Sequence, residues 1–111
     1  MAVRLTAPWQ PLTAAAVAGL PAQLGVYEIA DAQGRVLRID LAGGRSLFGL
    51  RGALEAEAAA RAPGHLFRLE ITMQYQSRWQ ELLMAHVADH GELPPENLDH
   101  RPQRLGRLSP G

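Results

Sequence analysis

The sequence predicts an α/β fold: a small mixed three-stranded sheet with a β-hairpin, flanked by helices. Three observations carry this. Residues 25–41 read GVYEIADAQGRVLRIDL, two strand-like runs parted by a polar turn that ends in Gly34. His65 to Met73 alternates strictly, with Phe67, Leu69, Ile71 and Met73 set against Leu66, Arg68, Glu70 and Thr72. Around these runs, apolar residues recur at helical spacing: Leu47, Leu50, Leu54 and Ala58 in one stretch, Trp79, Leu82, Leu83, His86, Val87 and His90 in another.

In chain order, Met1 to Leu12 holds two prolines and no period, and reads as an extended lead-in. Thr13 is placed to cap a short Ala-rich helix that ends near Gly19 and Pro21. The hairpin pairs Val26–Ala30 with Arg35–Leu41, and Ala42-Gly43-Gly44-Arg45-Ser46 breaks regularity after it. A helix is predicted over Leu47–Arg61, stopped by Pro63-Gly64. The third strand follows, with its Phe67 face inward. Ser77 is placed to cap the last helix and Gly91 to end it, before Pro94-Pro95. Residues 1–98 thus form one domain, and Asp99–Gly111 reads as a flexible basic tail, with Arg101, Arg104 and Arg107 and a single acid, Asp99.

Length and composition bound the function. A chain of 111 residues holds one core. The hydrophobic share of 47% leans on 18 alanines, leaving 27 Leu, Val, Ile and Phe residues, which suffices for a modest core. With no cysteine, disulfides, thiol catalysis and cysteine-ligated metal are excluded. No apolar run is long enough to span a membrane and the first ten residues show no signal-peptide pattern, so a cytoplasmic protein is expected. Every basic residue is Arg, which beside the many alanines suggests high-GC coding and a bacterial source. The formal charge of zero argues against a strong non-specific binder of nucleic acid. Its distribution is uneven, however: Arg35, Arg38, Arg45 and Arg51 face only Asp40, whereas Arg78 is outnumbered by Glu81, Asp89, Glu92, Glu96 and Asp99.

Gly25-Val26-Tyr27 opens the first strand, Arg38-Ile39-Asp40 ends the second, Arg51 lies on the helix after the hairpin, Glu81-Leu82-Leu83 lies on the late helix, and Asn97 follows the proline pair. In this order the chain, over about Leu20 to Asn97, resembles the GIY-YIG nuclease superfamily. The resemblance implies a tyrosine in each of two tripeptides, a helix arginine, a glutamate on a divalent metal and a late asparagine. Tyr27, Arg51, Glu81 and Asn97 match those roles, and Arg38 stands where the second tyrosine belongs. If the site is active, the implied reaction is phosphodiester hydrolysis. Tyr27 would assist the attacking water, Arg51 would stabilise phosphate charge, and Glu81 would hold Mg²⁺ or Mn²⁺. A guanidinium cannot accept a proton as a phenolate can, and Asp40 adds bulk and charge where glycine would admit a phosphate. The expectation is therefore a degenerate nuclease-like domain with weak or lost hydrolysis and a retained DNA-binding or partner-binding role. The alternatives are an active Mg²⁺-dependent DNA endonuclease or a protein-interaction module, while membrane binding is not expected. Arg38 is expected to pair with Glu81 or Asp40. Homo-oligomerisation is not legible.

Other chemistries are weaker. Each site residue also has an ordinary structural explanation: Tyr27 as a strand aromatic, Arg51 with Glu81 as an ion pair, Asn97 as a turn terminator. His86 and His90, at i and i+4, have zinc-ligand spacing that Asp99 or His100 could complete, but they also suit the edge of a core, and no Glu adjoins His86 as a zinc protease would need. Gly43-Gly44 lacks the Lys and Ser/Thr of a nucleotide loop.

Overall fold

The computed structural model describes residues 4–98, so the tail predicted at 99–111, with Asp99 and His100, lies outside the described residues. The elements are β1 (Gln10–Pro11), α1 (Ala14–Ala18), β2 (Gly25–Ala30), β3 (Val36–Ala42), α2 (Gly49–Ala60), β4 (Leu66–Ile71), α3 (Tyr75–His90) and a closing 3₁₀ turn, Pro95–Asn97. The sheet has four strands in the order β1-β4-β2-β3, each pair antiparallel.

Two expectations are corrected here. The sheet is antiparallel rather than mixed, because β4 crosses to the far side of β2 instead of adding to β3, where it would have run parallel. It has four strands rather than three, because Gln10-Pro11 pairs with Phe67 and Leu66. Two residues carry no alternation to read. Pro11, which has no N–H to offer a ladder, is tolerated because β1 is an edge strand.

β2 is central and buried along its whole length, which explains why GVYEIA shows almost no polar alternation. Its two faces lead to two cores. Tyr27 and Ile29 pack with Leu12, Val17, Ala42, Leu50, Leu54 and Phe67 under α1 and α2. Val26 packs with Leu5, Ile39, Trp79, Leu82, Leu83 and Leu93 under α3. Gly25 is required by the sheet itself, since a Cβ there would stand 2.1 Å from the Glu70 carbonyl of β4.

Helix starts also differ from expectation. Thr13 caps α1 through an Ala16 N–H bond of 3.1 Å, as predicted. Ser77, by contrast, lies inside α3, which begins two residues earlier after Thr72 Oγ1 accepts the Gln74 N–H at 3.0 Å. The alternation of the third predicted strand holds only while a helix covers it. Phe67 is fully buried, yet Ile71 and Met73 are 48% and 77% exposed.

Candidate functional site

Register brings three polar side chains to one face. Tyr27 of β2 stands opposite Asp40 of β3, with Arg38 two residues along the same face. α2 covers that face with Leu50 and Leu54, then supplies Glu57 and Arg61 one and two turns further on. The Tyr27 hydroxyl donates to Glu57 Oε2 at 2.8 Å. Arg38 donates to Asp40 Oδ2 at 2.6 Å and 3.0 Å, and lies 3.5 Å from Glu57 and 3.9 Å from Glu96. Arg61 holds Glu57 at 2.9 Å and grips Glu96 with both terminal nitrogens. The result is a half-buried chain of one phenol, two guanidiniums and three carboxylates.

Its electrostatics decide what it can do. Burial, then the charges of Asp40 and Glu57, push the Tyr27 phenol well above its ordinary range, so at neutral pH it is a proton donor and not a base. Each of the three carboxylates is already held by a guanidinium, Asp40 by Arg38 and both Glu57 and Glu96 by Arg61. A cavity of about 510 Å³ between α1 and the end of α2 is lined by Leu12, Val17, Ala58 and Leu66, and of the cluster only Arg61 reaches it.

The residues singled out by the resemblance are dispersed around this centre. Tyr27 and Arg38 lie within it, and Arg38 makes the Asp40 pair but not the Glu81 pair. Glu81 projects from α3, which packs on the opposite sheet face, and is held by Arg78 at 2.6 Å. Arg51 lies in the first turn of α2, its guanidinium 5.8 Å from the centre of the Phe48 ring. Asn97 is fully buried; its Oδ1 accepts the Ile39 N–H and its Nδ2 donates to the Ile39 carbonyl, both at 2.8 Å, so it closes the outer edge of β3. Glu81 shares its position with a cation, and among the described residues no three His, Asp or Glu side chains are grouped to hold a metal.

Glu57, Arg61 and Glu96 were not foreseen. Their one sequence signal is the Glu57–Arg61 spacing of i, i+4; Glu96 is joined to them only by the fold.

The other face carries a second polar set. Glu28, 5% exposed, accepts from Arg68 Nε at 2.8 Å, and Arg68 lies over the Trp9 ring at 4.1 Å. Burial raises the Glu28 carboxyl above its usual range, with Arg68 opposing. A cavity of about 170 Å³ beside this pair is lined by His86, His90, Asp89 and Arg4, the last two ion-paired. The two imidazoles lie 4.3 Å apart. Burial lowers the His86 pKa from 6.5, and His90 adds to the effect. The folded imidazole then binds its proton less tightly than the unfolded one, so this contribution to stability is present above 6.5 and lost as pH falls below it. A His86→Gln variant is expected to show a shallower acid loss of thermal stability, read from melting curves taken across that range. An unchanged slope would remove His86 as the cause.

Arginine pairing separates one end of the sheet from the rest. Arg4, Arg38, Arg61, Arg68 and Arg78 are all ion-paired. Among the described residues, Arg35, Arg45 and Arg51 have no carboxylate within 4.0 Å. Arg35 lies at the hairpin turn; Arg45 and Arg51 lie together at the opposite end, where β3 gives way to α2.

The fold and this cluster define a small α/β domain with an antiparallel sheet and, at its centre, a neutral tyrosine hydrogen-bonded into a network of ion pairs. The chain belongs to a family described as a domain of unknown function, DUF7508, whose model matches residues 3–89. That span includes Tyr27, Arg38, Asp40, Glu57 and Arg61, and ends before Glu96 and Asn97. No curated protein and no solved structure matches the chain. Among the described residues, no helix is long and apolar enough to cross a membrane.

Proposed function

We propose that this is a GIY-YIG-like domain that binds nucleic acid without hydrolysing it. One observation carries the reading: the guanidinium of Arg38 sits beside Tyr27 among Asp40, Glu57 and Glu96, in the place where the resemblance calls for a second phenol. A permanent cation there competes with any metal at Asp40, Glu57 or Glu96, and a phenol locked to Glu57 has no free base to activate water. Support for retained binding comes from Arg45 and Arg51, the unpaired guanidiniums at the α2 end, which are free to meet phosphate. With no net charge behind them, the affinity is modest and strongly salt-dependent.

Purified protein mixed with supercoiled plasmid is expected to shift it at low salt and to leave it uncut with Mg²⁺ or Mn²⁺. Arg45→Gln and Arg51→Gln should each weaken binding and flatten the dependence of log affinity on log salt by about one unit. Metal-dependent nicking that disappears in Glu81→Ala would restore the endonuclease reading. Absence of any salt-sensitive binding would leave a protein-interaction module.

A further inference from the structure

The turn that carries Arg45 also presents two large apolar side chains to solvent. Leu47 is 75% exposed and Phe48 56%. Phe48 is moreover the one non-glycine among the described residues with a positive φ, at 64°. An aromatic residue in that conformation is strained, and exposure denies it the burial that would offset the strain. The strain is held in place by the next residue. Gly49 also has a positive φ, 55°, and a Cβ there would meet the Gln23 carbonyl at 2.5 Å, while Leu50 N–H bonds that same carbonyl at 2.8 Å. Folding alone does not call for a phenylalanine at this position, where Gly or Asn would sit without strain.

What surrounds the ring indicates what it meets. Arg51 already lies 5.8 Å from its centre, Arg45 is three residues away on the same turn, and neither guanidinium has a carboxylate partner. Ile71 ends β4 at this same end of the sheet, since it pairs with Gly25 as Ala42 does. An exposed aromatic face flanked by unneutralised arginines matches a base with its adjoining phosphates. The ring offers a stacking platform and the guanidiniums meet the backbone. An anionic membrane fits less well, because lipid recognition of this kind uses clusters of about four to eight basic residues and this turn has two.

We infer that Phe48 is a stacking platform for an unpaired base, and that Arg45 and Arg51 hold the phosphates on either side, so that the domain prefers single-stranded nucleic acid to duplex. This rests on the nucleic-acid reading above. In a duplex the base faces are already stacked, so Phe48 contributes only to single-strand binding while the arginines serve both.

The test is fluorescence anisotropy of the full chain with a labelled strand of about 12 nucleotides, alone and annealed to its complement, at low salt. Phe48→Gly is expected to weaken single-strand binding about tenfold and to leave duplex binding unchanged. Its melting temperature should equal or exceed that of the parent, since glycine relieves the backbone, and this separates lost contact from lost fold. Phe48→Trp should retain the preference, with indole emission quenched on binding beyond any change shown by the parent's Trp9 and Trp79. If single strand and duplex bind equally and Phe48→Gly changes neither, the stacking inference fails while the nucleic-acid reading stands. If neither form binds, both fail. Phosphatidylserine vesicles that bind where oligonucleotides do not would assign the turn to a membrane and overturn both.

Discussion

Asn97→Ala is expected to lower the unfolding free energy by about 3 kcal/mol, a large fraction of what a domain of this size possesses. The Asn97 amide is fully buried and spans the N–H and C=O of Ile39 on the outer edge of β3. After truncation the carbonyl still receives the Trp79 indole at 2.8 Å, but the Ile39 N–H loses its acceptor in a place where water enters only at a cost. A small cavity adds to the loss. Asn97→Asp is the informative companion. It keeps the acceptor for the Ile39 N–H but turns an oxygen toward the Ile39 carbonyl, so its deficit should shrink in acid, where a protonated carboxyl can donate. Urea unfolding at two pH values measures both. A midpoint unchanged by the alanine would show that Asn97 does not hold the strand and would return it to the functional role implied by the sequence resemblance.

Arg68→Met is the second large effect, expected at about 3 kcal/mol near neutral pH. It strands the Glu28 carboxylate in the α3-side core and removes the cation that lies over Trp9 and ties down the segment before β1. The pH dependence identifies the cause. Burial already raises the folded-state pKa of Glu28, and losing Arg68 raises it further. A carboxyl whose folded pKa exceeds its unfolded value of 4.5 binds its proton more tightly when folded, so the variant's stability falls as pH rises from 4.5 through the folded pKa. The deficit should therefore be smallest in acid and complete at neutral pH. Adding Glu28→Gln should recover most of it. A double variant no more stable than the single would mean that Arg68 acts through packing on Trp9 and not through charge.

The hairpin, the Thr13 cap and the positions of α2 and α3 were legible because each depends on neighbours within a few residues. Alternation shows a strand, a 3.6-residue period shows a helix, and a hydroxyl before an Ala run shows a cap. That Tyr27 and Arg38 share a face was not legible, because the hairpin's register shifts at an irregularity between Ile29 and Ala30 that no local pattern announces. What the periodicities leave open is which elements meet. That β4 pairs with β2 and not β3 depends on contacts forty residues apart, and this choice turns a mixed sheet into an antiparallel one. Two-residue β1 has too short a run for any pattern, and its pairing exists only because β4 offers an edge.

The site divides in the same way. Composition alone excluded cysteine chemistry, and the arginine-rich stretch from Arg35 to Arg51 was visible as a charge imbalance. Only the packed structure decided which of those arginines are neutralised. Arg38 meets Asp40, Glu57 and Glu96 because β3, α2 and the closing 3₁₀ turn converge on one face of the sheet, and Arg45 and Arg51 stay open because nothing acidic folds toward them. The same convergence places Glu81 on the other side, behind the sheet from Tyr27. A linear order of residue types can resemble an active site, but whether those residues share a cavity is set by strand order and helix side, which are properties of the assembled core.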